Sequence, residues 1–166
     1  KYSKKPHFKN AIIQCYAGGN TMVFNNKLLK NVKEIGLVNV KSHDWWLYIL
    51  STASGGKAIF DLNARLSYRQ HSKNISGGNK GLKKSFLRLK TVLRGDLRVW
   101  NEHNIEHLKE NKSILSEESK KVLEYFIKIH NENLFLRIFY FLKSGIYRQS
   151  FIQNIALLFL LIIKKI

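Results

Sequence analysis

Three places in the sequence combine residue types that can do chemistry. Asp44 stands directly before Trp45 and Trp46. A carboxylate at a helix start beside two indoles is held partly out of water and within reach of a substrate hydroxyl, which suits a general base. The same spacing also reads as an Asp that caps a helix while the two tryptophans fill a core, and caps are common enough that spacing alone favours this second reading. His71 has the chemistry to ligate a divalent cation or bind a phosphate, although single histidines are more often packed or surface residues. Gly18-Gly19-Asn20 allows backbone to approach a sugar or pyrophosphate closely. It matches neither the dinucleotide fingerprint nor a phosphate loop with its lysine, and taken alone it is a turn. The single cysteine, Cys15, has no internal disulfide partner, and no zinc-type Cys/His spacing occurs, which fits a reducing, cytosolic setting.

The elements that must position these residues follow from local pattern. Lys1 to Asn10 is basic and polar, and Ala11 to Phe24 is mostly apolar around the Gly18-Gly19-Asn20 loop. The β-branched and aromatic content of Thr21 to Phe24 predicts a short strand, and Lys27 to Ile35 predicts a helix. Asp44 is expected to cap a helix carrying Trp45, Leu47, Tyr48, Ile49 and Leu50, with its stop at Gly55-Gly56. Lys57 to Phe60 and Arg65 to Arg69 read as extended pieces separated by a turn at Asp61 to Asn63. Ser76-Gly77-Gly78-Asn79 marks a join, so a first portion, 1–79, is set apart from a helical second portion, 80–166.

In that second portion Leu82, Phe86, Leu89 and Leu93 recur at helical spacing amid Lys80, Lys83, Lys84, Arg88, Lys90, Arg94 and Arg98, a basic amphipathic helix. Ser116 followed by Glu117-Glu118 signals another helix start, with Val122, Leu123, Phe126, Ile127 and His130 on one face. Phe151 to Ile163 is nearly continuous apolar sequence closed by Lys164-Lys165, shorter than the roughly 20 residues of a membrane span. It reads equally as a core helix or as an interfacial anchor.

Lysine and arginine number 29 against 11 aspartate and glutamate, a net charge of +18, while 45% hydrophobic content excludes a disordered polar tail. Such a field draws the chain toward phosphates or anionic lipid. A basic cluster riding on a helix with an apolar stripe favours a lipid surface over a nucleic-acid groove, so nucleic acid is not an expected partner. Lys1 in first place, with no secretory leader after it, reads as the start of a fragment.

Three segments in order, Gly19-Asn20-Thr21-Met22-Val23-Phe24-Asn25, His43-Asp44-Trp45-Trp46-Leu47 and Tyr68-Arg69-Gln70-His71-Ser72-Lys73-Asn74, resemble the C-terminal half of family 2 glycosyltransferases of the rhamnosyltransferase-like branch. The likeness runs from about Ala11 to Asn79, and the tail from Leu134 through Tyr147-Arg148 resembles the family's closing helices. The resemblance implies an α/β fold: the C-terminal part of a GT-A, Rossmann-like domain, followed by a helical, partly amphipathic C-terminal region. It implies an inverting enzyme in which Asp44 is the catalytic base that deprotonates the acceptor hydroxyl. Gly19 and Asn20 match the glycine loop beside the sugar, Trp45 and Trp46 the aromatic pair after the base, and Arg69 and Gln70 the neighbours of His71, which helps hold a metal or diphosphate. His43 stands where many relatives carry an acid.

A divalent metal, Mg2+ or Mn2+, would be bound mainly through an Asp-x-Asp motif that this sequence does not contain. The implied partners are a nucleotide-sugar donor and a lipid-linked saccharide acceptor. The implied place is the inner face of the cytoplasmic membrane, where a sugar such as rhamnose is added to a cell-surface polysaccharide, an O-antigen or capsule. The competing readings are a basic membrane- or nucleic-acid-binding module without catalytic activity, and a truncated gene product with an interaction role.

Overall fold

The computed structural model describes residues 4–15, 18–61, 63, 66–67 and 90–166. Among them all regular structure is helical. In chain order the α-helices are α1 (Phe8–Ala11), α2 (Asn26–Ile35), α3 (His43–Ala53), α4 (Asp96–Glu110), α5 (Glu117–Asn131), α6 (Leu134–Ser144) and α7 (Phe151–Ile162), with 3-10 turns at Gly19–Thr21 and Lys112–Ile114.

This corrects the α/β, GT-A expectation, because no strand or sheet occurs among the described residues. Thr21 to Phe24 and Lys57 to Phe60 were the strand candidates, and Met22 does have extended dihedrals. Among the described residues neither segment forms a strand ladder, and Val23 and Ile59 are almost fully exposed. β-Branched and aromatic residues favour a strand only where a ladder and a half-buried face exist. Of the third extended candidate, Arg65 to Arg69, only Leu66 and Ser67 are described, and they are irregular. The join at Ser76 to Asn79 and the basic stretch from Lys80 to Leu89 lie outside the described residues. Residues 90–94 are helical, and Gly95, at φ 98°, ends that helix and precedes α4.

Side-chain oxygens of Asn25, Ser116, Asn133 and Ser150 accept from backbone N–H groups in the first turns of α2, α5, α6 and α7, satisfying donors those helix ends would leave orphaned. One core joins α1, α3, α4, α5 and α7 through Phe8, Ile12, Ile49, Leu108, Phe126 and Leu157, so residues from both sides of Asn79 share it. α1 is short but central: Asn10, Ala11 and Ile12 are completely buried, with α3 and the α6–α7 turn packed around them. The face foreseen on α5 packs, with Ile129 buried where Ile127 is only partly so. No helix among the described residues is long and apolar enough to cross a membrane.

His130 sits in this core near the end of α5, its ring edge-on to Phe126 at 4.8 Å between centroids. Neither ring nitrogen has a hydrogen-bond partner, and the buried Asn101 amide on α4 is unpaired as well. Burial, followed by the nearby Arg98 guanidinium, lowers the His130 pKa to about 4, with Glu102 opposing. The unfolded chain therefore takes up a proton that the folded chain refuses. Stability is complete above the ordinary histidine value near 6.5 and falls as pH drops from there to about 4. The loss amounts to about 3 kcal/mol. Urea unfolding followed from pH 7.5 to pH 4 is expected to show this slope, and His130→Leu, with no proton to gain, to flatten it.

Candidate functional site

α3 forms because Ser42 leaves the helix in extended conformation and the following eleven residues are apolar on the side that meets α1. Asp44 lies inside the first turn of α3 and is not its N-cap; that position is held by Ser42, whose side chain makes no capping hydrogen bond. Its carboxylate Oδ1 accepts from the Trp45 backbone N–H at 2.8 Å, and the side chain is half-buried. A negative charge in the first turn is favoured by the helix dipole and by the unpaired N–H groups there.

The glycine loop closes onto this helix start. Thr21 donates through both its N–H and its Oγ1 to the Gly18 carbonyl, each at 2.9 Å, which tightens the 3-10 turn. The His43 imidazole lies directly against Gly19: a methyl group added at Gly19 would overlap Nε2 and lie 3.2 Å from Cε1. Only a residue without a β-carbon allows the turn to sit this close. Asn20 is exposed and folds its side-chain oxygen back toward Gly18. The fold thus brings the Gly19 turn against His43, the residue before Asp44, from 24 positions away.

Trp45 and Trp46 point the other way. They are only 6% and 5% exposed, and the Trp45 indole donates to the Ala11 carbonyl at 2.7 Å. Their described surroundings are the core, which leaves no indole face open for stacking on a saccharide. Arg69, Gln70 and His71 lie outside the described residues. Among the described residues no group of three or more His, Cys, Asp or Glu side chains is placed to hold a metal ion.

One positioning residue escaped the sequence reading. His107, on α4, accepts through Nε2 from the Asn39 backbone N–H at 3.1 Å and meets the Trp46 ring edge-on at 6.0 Å. An N–H can only donate, so Nε2 is the bare nitrogen and the ring proton sits on Nδ1, facing Glu110 Oε2 at 3.2 Å. Lys41 lies over the Trp100 ring at 4.6 Å. Together these contacts hold the loop that delivers His43 and Asp44 to the head of α3. A histidine 63 residues downstream of Asp44 carries no local pattern that would mark it.

Compared with protein-family models, curated proteins and solved structures, the chain matches none of them.

Gly19→Ala is expected to push the exposed His43 ring aside at little cost to stability. The same change made in a His43→Ala background should be nearly silent, a coupling that the thermal melts and His43 ring resonances of the four proteins in the cycle will register. His107→Phe keeps the contact with Trp46 but removes the acceptor for Asn39. Amide exchange at Asn39 should then quicken about fivefold, the size expected from one net hydrogen bond.

Proposed function

We propose that this chain forms the acceptor side of a sugar-transferring enzyme, with Asp44 as its general base. The observation that supports the reading most is the closure of the Gly19 turn onto His43, beside a half-buried carboxylate at a helix start. Two of the residues that the resemblance assigns to one site, Gly19 and His43, are separate in sequence and touch in the fold, which supports the reading.

A sugar hydroxyl is a poor nucleophile at neutral pH, and its oxygen attacks an anomeric carbon only as its proton is drawn away. In this reading the Asp44 carboxylate takes that proton. The acceptor oxygen bonds to the anomeric carbon from one face, the bond to the nucleoside diphosphate breaks on the other, and the electron pair leaves with the diphosphate. Gly19 and Asn20 present backbone to the sugar, and His43, exposed beside them, lines the acceptor approach. The tryptophans hold the helix from behind instead of touching substrate. A divalent metal would neutralise the leaving diphosphate, and the sequence contains no Asp-x-Asp motif, so the reading gives these residues the acceptor half of the work. The donor sugar is rhamnose or a related hexose and the acceptor is a lipid-linked saccharide, following the branch of the family that the motifs resemble.

The full-length protein supplied with nucleotide-sugar and lipid-linked acceptor provides the test. Asp44→Asn should lower kcat by about 10²–10⁴-fold with KM little changed. Asp44→Glu, which keeps the base on a longer arm, should recover part of the rate. Undiminished transfer by Asp44→Asn removes the assignment.

A further inference from the structure

α6 and α7 are consecutive helices that pack on one another, and Arg137 ties them together by donating from Nη1 to the Leu161 carbonyl at 3.1 Å. Each keeps an apolar face outside the core. On α6, Phe135 is 86% exposed and Phe139 and Leu142 continue the same face at helical spacing. On α7, Phe151 and Ile152 are 80% and 78% exposed, and Ile155, Phe159 and Ile162 follow. The other side of α7 is core, through Leu157, Leu160 and Leu161. The core reading of the apolar tail thus holds for one side of α7, while its other side stays exposed.

Charge indicates what covers these faces. From Leu134 to Ile166 the chain carries Arg137, Lys143, Arg148, Lys164 and Lys165 and not one aspartate or glutamate. Lys143 and Lys164 are exposed, and Lys143 sits at the edge of the α6 face with its ammonium 5.7 Å from the Phe139 ring centroid. Lysines that border an apolar face place their stems along it and their charges at the polar boundary. Apolar helix faces bordered by lysine, without acidic residues and too short to span, have the composition of segments lying in the headgroup layer of an anionic membrane. A nucleic-acid groove would receive the charge but not the phenylalanines.

We infer that the outer faces of α6 and α7 seat the protein on an anionic phospholipid surface, with Phe135, Leu142, Phe151 and Ile152 entering the acyl boundary. This goes beyond the reading of Asp44 and stands or falls apart from it, because no donor or acceptor sugar is involved. The full chain is floated with vesicles of phosphatidylcholine containing phosphatidylglycerol, and with vesicles of phosphatidylcholine alone. Binding to the first should exceed binding to the second by about tenfold or more and weaken as salt is raised.

The triple variant Phe135→Ser, Phe151→Ser, Ile152→Ser alters only exposed side chains, and circular dichroism checks that it keeps its helices. It should bind about tenfold more weakly or worse, while the control Leu37→Ser, at an exposed apolar residue elsewhere, should bind as the parent does. Equal binding to both vesicle types, or no loss in the folded triple variant, overturns the inference. So does sedimentation showing that the parent self-associates through these residues, which would make a second copy the cover.

Discussion

The amide of Asn10 is the point on which the architecture turns. Completely buried in α1, it donates to the Tyr147 carbonyl at 3.0 Å and to Gln14 Oε1 at 3.1 Å, and its oxygen accepts from the Tyr48 hydroxyl at 3.1 Å. Gln14 continues the network to the Gln149 backbone N–H and to Gln153, and Gln149 exchanges hydrogen bonds with the backbone of Lys4. A polar group withdrawn from water without partners costs about 1–3 kcal/mol, so the arrangement holds only if each member keeps its place. That requirement fixes α1 between α3 and the α6–α7 turn.

The position of the candidate site is a consequence. With α1 fixed, the Trp45 indole reaches the Ala11 carbonyl and Tyr48 reaches Asn10, so α3 has one permitted rotation about its axis. In that rotation the tryptophans face the core and His43 faces the Gly19 turn. The orientation of the start of α3 therefore depends on buried side chains of α1 and α3, and on a loop pinned from α4 by His107.

Much of the helical layout was legible because it is signalled locally. Asn25 and Ser116 are caps with periodic apolar residues behind them, and Gly55 supplies the positive φ that ends α3. The apparent strands misled because Val23, Phe24 and Ile59 have strand composition while a strand is a relation between two segments, which composition does not contain. The opening stretch is basic and polar in composition. Phe8 and Asn10 are in fact core, since Asn10 is satisfied by residues more than 130 positions away. His107 was missed for the same reason. Gly19, His43 and Asp44 were legible as separate motifs, and their adjacency was expected only through the resemblance.

The tie between Lys4 and Gln149 spans 145 positions, and that between Gln14 and Gln153 spans 139. During synthesis, α1 emerges with its polar side chains facing water and has no means of burying them until the α6–α7 turn follows. Helices such as α5 and α6 are neighbours in sequence and in space, whereas closure around Asn10 crosses a far larger loop-closure entropy. Until that closure the Asn10 amide lacks the Tyr147 partner that ties α1, and through Tyr48 α3, to the far end of the chain.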